Sequence, residues 1–134
     1  MGLIRDKYQK FYKALSELED SLAIPIVHKR DVAGVIHIFK FTFEVTWKLL
    51  RELLVFEGSA ASTSPRETFK SAYAAGLLKN EQIWLSMIKN RNLTSHTYDE
   101  KIATTVLNAI KKHYKDAFFD LNELVNKKYA DEIS

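Results

Sequence analysis

The sequence predicts an all-α protein: an up-and-down four-helix bundle with one extra short helix. Three observations carry that reading. Apolar residues recur in steps of three and four along most of the chain, the spacing that puts side chains on one face of an α-helix. Gly and Pro are scarce, four and two in 134 residues, which favours long helices over a turn-rich β fold. Short polar breaks divide the apolar stretches, and residues suited to helix caps stand at their edges. The length suits one domain, residues 1–134, able to bury roughly two-thirds of the surface its unfolded chain exposes.

The first helix is marked by Ile4, Tyr8, Phe11, Leu15, Leu18 and Leu22, with Lys7, Lys10, Lys13, Glu17 and Asp20 off the stripe. Pro25 closes it or opens the connection. Asp31, at the end of a polar break that begins at His28, is placed to cap the second helix. That helix runs from Val32 to Phe56 without a Pro. One stripe follows Val32, Ile36, Phe39, Phe43, Trp47, Leu50 and Leu54; another follows Ile38, Phe41, Val45, Leu49 and Phe56. A helix apolar on two faces has to be covered on both, so we expect a central position and a partner surface together. Glu44, Lys48 and Arg51 share the narrow polar strip that remains.

Gly58 to Ser64 reads as a loop. Ser64 at N-cap, Pro65 at N1 and Glu67 at N3 then open the short helix of Phe69, Ala72 and Tyr73, and Gly76 is its C′ residue. Asn80 caps the next helix, whose apolar face is Ile83, Trp84, Met87 and Ile88. Helix propensity falls through Asn92, Thr94 and Ser95. Thr97 and Asp99 are alternative N-caps for the last helix, the first with a capping box to Glu100. Its stripe is Ile102, Val106, Ile110, Tyr114, Ala117 or Phe118, Leu121, and Leu124 or Val125. Lys111, Lys112 and Lys115 lie on its outer side.

Composition removes several function classes. Without Cys there are no disulfides, thiolate metal sites or Cys nucleophiles. The start of the chain has no apolar signal core and no run is long enough to cross a bilayer, so a cytoplasmic protein without membrane contact is expected. No Glu-x-x-His pair of the di-iron type occurs, and neither metal nor cofactor is expected. A formal charge of +3 and a pI of about 9.0 suit a nucleic-acid or nucleotide partner without demanding one.

The chemistry is concentrated between Arg91 and Tyr98, where a guanidinium, an imidazole and a phenol fall within eight residues. Arginine offers a permanent cation with a planar fork of donors suited to phosphate. Imidazole is the side-chain type that exchanges protons near neutrality. Arg91 and His96 are five apart, about 140° around an unbroken helix, so a continuous helix would point them different ways. Two readings follow. In one, the segment is a helix end and restart, with Asn92, Thr94 and Ser95 as caps and Arg91 solvated. In the other, the helix ends near Leu93 and Arg91 and His96 converge on one phosphate. His96 then takes the proton of a ribose 2′-hydroxyl while Arg91 stabilises the five-coordinate phosphorus. Since one imidazole cannot be base and acid in one step, a two-fold homodimer would supply the second. Asn92, Ser95 and Lys112 are the accompanying substrate-binding candidates. Lys111, Lys112 and Lys115 read either as a solvated face or as a phosphate-tracking patch. His28, His37 and His113 have no spaced companions, and Trp47 and Trp84 fall on apolar stripes as core residues.

Three separated segments, Asp31 to Leu50 (DVAGVIHIFKFTFEVTWKLL), Ser64 to Leu78 (SPRETFKSAYAAGLL) and Met87 to Ala103 (MIKNRNLTSHTYDEKIA), together resemble the bacterial nucleotidyltransferase substrate-binding protein family of the HEPN superfamily. The resemblance covers roughly residues 5 to 125. It implies a helical bundle that dimerises and pairs with a minimal nucleotidyltransferase. The superfamily signature of Arg, a polar residue and a following His is matched by Arg91, Asn92 and His96. In many relatives that signature carries metal-independent endoribonuclease activity, often as the toxin of a toxin–antitoxin pair. In some pairs the nucleotidyltransferase adenylylates a Tyr two residues after the His, the position of Tyr98. The older family name implies instead a non-catalytic subunit that presents substrate to the nucleotidyltransferase. Lys40 departs from the acidic residue that relatives often carry between the two Phe of the second helix.

Overall fold

Each helix boundary follows from which backbone groups find a partner. In the computed structural model, which describes residues 2–134, α1 (Leu3–Ala23) stops ahead of Pro25. Ile24, the residue before the proline, is extended at φ −91° and ψ 140°, as the pyrrolidine ring requires of its neighbour. The second helix, α2 (Lys29–Phe56), begins earlier than the sequence predicts, with His28 at N-cap. Asp31 is therefore not the cap. It sits at N3, where its carboxylate accepts from the backbone N–H groups of His28 (2.8 Å) and Val27 (3.1 Å). A carboxylate in the first turn satisfies the same orphan donors from either position, which is why sequence alone does not separate the two placements.

The short helix α3 (Pro65–Ala74) has Ser64 as its cap, its hydroxyl oxygen accepting from the Glu67 N–H. Gly76 follows at φ +80°, a conformation that carries no penalty without a Cβ. Asn80 caps α4 (Glu81–Leu93) through its side-chain oxygen and the Ile83 N–H. A 3-10 turn, Thr94–His96, continues from α4. Of the two candidate caps for α5 (Glu100–Ala109), Asp99 is the one used, accepting from the Lys101 and Ile102 N–H groups. Thr97 instead donates its hydroxyl to the Thr94 carbonyl.

From α5 the chain passes through a π-turn, Ile110–Tyr114, into α6 (Lys115–Lys128), and a last short turn, α7 (Ala130–Ile133), lies against α1. The π-turn has a reason in the apolar pattern. Ile102, Val106, Ile110, Tyr114 and Phe118 are spaced by four throughout, and on a straight α-helix each step of four drifts about 40°. One extra residue in the turn resets the phase, so that Val106, Ile110, Tyr114, Phe118, Leu121 and Val125 are all buried.

The four long elements are α1, α2, α4 and the α5–α6 run, with α3 as the extra short helix. α2 is central, touching α1, α3, α4 and α5. Its two apolar faces are accordingly covered within the chain, with Phe39, Phe43 and Leu50 on one and Val45 and Leu49 on the other all buried. Phe41 and Phe56 are the exceptions, 47% and 54% exposed. Aromatic rings link the layers. Phe43 lies edge-on to Phe69 (5.7 Å), Phe69 to Trp84 (5.2 Å) and Trp84 to Phe118 (5.6 Å), while Phe39 stacks on Tyr114 (5.4 Å). Each such pair adds about 1 kcal/mol beyond the area it buries. None of the described helices is long and apolar enough to cross a membrane.

Candidate functional site

Arg91 continues the inward stripe of α4. Trp84 and Met87 are buried, and Arg91 lies seven and four residues after them, so it faces α2 rather than solvent. There its guanidinium lies over the Phe43 ring, 4.6 Å from the centroid. Nη1 donates to Glu44 Oε1 at 2.5 Å, and Nε donates to Asn92 Oδ1 at 3.1 Å. Three directions are thus fixed: an aromatic face beneath, a carboxylate on one edge and an amide on another. The second oxygen of Glu44 accepts from Trp47 Nε1 at 3.0 Å, which in turn holds the carboxylate.

In the sequence Glu44 stands out only as part of a polar strip. The local signal is a carboxylate midway along a helix apolar on two faces; its pairing with Arg91 is visible only in the structure.

From Asn90, the residue before Arg91, runs a largely buried polar chain that sequence reasoning misses. Asn90 Nδ2 donates to the Tyr114 hydroxyl (2.7 Å), Tyr114 and Ser86 share a bond of 2.8 Å, and the Ser86 hydroxyl donates to the Ile83 carbonyl (2.7 Å). The directions are mutually consistent, each hydroxyl accepting from one side and donating to the other. Burial holds the Tyr114 phenol above its ordinary range, with the bonds to Ser86 and Asn90 pulling the other way, so it stays a donor. This network joins the end of α4 to the π-turn.

α4 ends at Leu93, which both readings of the motif share. Three side-chain hydroxyls make the ending. Thr94 donates to the Arg91 carbonyl (2.6 Å), Ser95 to that of Asn92 (3.1 Å) and Thr97 to that of Thr94 (3.2 Å). They satisfy the carbonyls that a terminating helix leaves open. Ser95 therefore spends its proton on the backbone and keeps its lone pairs for a donor.

Beyond this turn the side chains are open. His96 is exposed, its ring edge-on to Tyr98 at 6.1 Å. Tyr98 is 85% exposed. It stands on the rim of a cavity of about 430 Å³ floored by Val32, Ile36 and Ala103, with the Lys29–Glu100 ion pair beside it. Among the described residues the structure groups Arg91 with Asn92 and Glu44, and His96 with Tyr98. No hydrogen bond, ion pair or ring contact joins the first group to the second within the chain. Lys112, on the π-turn, is exposed and without an acidic partner among the described residues.

Comparison with known proteins adds three findings. The family described as nucleotidyltransferase substrate binding protein like matches residues 6–127. A probable ribonuclease HepT of Haemophilus influenzae is 28% identical over 112 residues, which is 79% of this chain and 75% of that protein. A crystal structure of a protein from Thermus thermophilus has the same fold, with a TM-score of 0.78 at 25% identity over 86% of this chain and 98% of that one.

Proposed function

Because the chain belongs to the nucleotidyltransferase substrate binding protein like family, we propose that it is a HEPN-type subunit that binds RNA, cleaves it without a metal as a toxin, and works with a minimal nucleotidyltransferase. The observation that supports this is the contrast within the motif. Arg91 is held from three sides, while His96 and Tyr98, one turn later, are free to meet a ligand. A fixed cation and a mobile proton carrier are what cleavage at a ribose phosphate asks of a protein. His96 takes the 2′-hydroxyl proton, the 2′-oxygen attacks phosphorus, and Arg91 stabilises the added negative charge. The bond to the 5′-oxygen then breaks, and that oxygen receives a proton from the imidazolium of a second copy. The products are a 2′,3′-cyclic phosphate and a free 5′-hydroxyl. Asn92, Ser95 and Lys112 assist by binding the backbone.

The test is cleavage of a labelled single-stranded RNA in the presence of EDTA by wild type, Arg91→Ala and His96→Ala. Each substitution is expected to slow cleavage by about 100-fold or more. Cleavage that survives both substitutions, or that EDTA abolishes, sinks the reading. The exposure of Tyr98 supports its being the acceptor of an adenylyl group. Its phenol oxygen attacks the α-phosphorus of ATP and pyrophosphate leaves. Co-expression with the nucleotidyltransferase should then add the mass of AMP to wild type and not to Tyr98→Phe.

A second reading, the non-catalytic substrate-presenting subunit, is favoured by the Arg91–Glu44 ion pair, because the carboxylate offsets much of the cation's field. It predicts RNA or nucleotide binding with no fragments in the same assay.

A further inference from the structure

Between α1 and α2 runs a groove of about 520 Å³ that the motif does not include. Lys7, Lys10 and Lys13 line one wall, three residues apart and so about 4.5 Å apart along the helix axis. Lys48 lines the other, with Phe41 and Glu44 beside it. None of the four lysines has a carboxylate within ion-pairing distance among the described residues. Lysines outnumber carboxylates there four to two, and one of the two, Glu44, is already paired with Arg91; the other is Glu17. The whole chain carries only +3, so this is a local concentration of charge rather than a reflection of general basicity. Phe41 is 47% exposed on the groove, while Val45 and Leu49 of the same stripe are buried. Unpaired cations in a row beside an exposed aromatic face are the two components of single-strand recognition: one follows the phosphates, the other stacks a base.

We propose that this groove is a binding track for single-stranded RNA that leads the strand to Arg91. Glu44 lies midway along the α2 wall, between Phe41 and Lys48, and also holds Arg91, so a strand lying along the lysines passes beside the carboxylate that anchors the guanidinium. The inference rests on RNA being the ligand of the motif, but binding and cleavage can be measured apart.

The experiment uses full-length His96→Ala protein, which should bind without cutting, and fluorescein-labelled oligouridylate followed by anisotropy at several salt concentrations. Replacing Lys7, Lys10 and Lys13 together by Gln, which preserves helix propensity, is expected to weaken binding at least ten-fold. It should also lower the slope of log affinity against log salt by about 2, from roughly 0.7 per phosphate contact. Phe41→Ala should weaken binding about ten-fold with the slope unchanged. A control carrying the same charge change at Lys70, Lys101 and Lys127 should bind as the parent does. Equal losses in control and groove variants, unchanged RNA affinity in the groove variants, or a change in molar mass by light scattering on Phe41→Ala would each overturn the assignment. The first means bulk charge, the second a different ligand and the third an interface between copies. If wild type binds through the groove yet never cuts, the cleavage reading fails and the track stands. If wild type cuts a dinucleotide while groove variants bind RNA normally, the reverse holds.

Discussion

Removing Glu44 is expected to free Arg91 while leaving the bundle folded, and the size of the effect follows from where the pair sits. Exposed ion pairs couple by roughly 0.2–1 kcal/mol, and cutting a buried one costs roughly 3–5 kcal/mol. The Arg91 side chain is 24% exposed and that of Glu44 is 34% exposed, which places the pair between these limits, at about 1.5 kcal/mol. A cycle of Glu44→Ala, Arg91→Ala and the double variant isolates that coupling, because the loss of the Trp47 bond and of the Phe43 contact cancels between its arms. Urea unfolding followed by circular dichroism is the suitable measurement, since the fluorescence of Trp47 responds to Glu44 directly. Kinetics give a second arm. If Glu44 acts only by aiming the guanidinium, Glu44→Ala should slow RNA cleavage about ten-fold in the parent and not at all in Arg91→Ala. A coupling below about 0.3 kcal/mol, or rate losses that simply add, would refute the claim that the carboxylate orients the cation.

Two further outcomes follow from the polar groups inside and at the ends of the helices. Tyr114→Phe removes the middle of the Asn90–Tyr114–Ser86 chain, yet Asn90 keeps the Ser86 carbonyl (3.2 Å) and Ser86 keeps that of Ile83 (2.7 Å). The cost should be about 1.5 kcal/mol, a fall in Tm of about 5 °C by calorimetry, and a change beyond about 4 kcal/mol would mean the network also positions the π-turn. The backbone N–H groups of His28 and Val27 hold the Asp31 carboxyl below its ordinary range. Its contribution is therefore present above the unfolded-state pKa and is lost as pH falls through the lower folded value. Asp31→Asn should flatten the acid limb of the stability profile, and an unchanged limb would show that the bonds from the His28 and Val27 N–H groups are not populated in solution.

Much of the fold is legible in the sequence because apolar spacing survives translation into structure with little loss. The α1 stripe, the start of α3 at Ser64 and Pro65, the stop at Gly76 and the Asn80 cap are local features, set by residues within a turn of one another. The choice between Thr97 and Asp99 is open at that level because both offer an oxygen at the right distance. The structure settles it on the carboxylate that two N–H groups reach.

The π-turn is legible in principle, from a run of fours that no straight α-helix can keep on one face. What the sequence does not reveal is distance across the bundle. Glu44 and Arg91 are 47 residues apart, and nothing local tells that a carboxylate on one helix meets a guanidinium on another. The same holds for Asn90 and Tyr114, 24 apart. The two apolar faces of α2 predict a central position and a partner surface together; within the chain α1 lies along the helix, and Phe41 and Phe56 are the large residues of the two stripes left exposed.

The extra residue looped into the turn at Ile110–Tyr114 has a consequence for how this chain tolerates change. It uncouples the two halves of the longest helical run, so the rotation of the second half is not dictated by the length of the first. A one-residue loss upstream can be taken up by tightening that single coil to an ordinary α turn. Phe118, Leu121 and Val125 then still face inward. Drift in length is thereby confined to the stretch bearing Lys111 and Lys112, and the opposite wall of the bundle keeps its register.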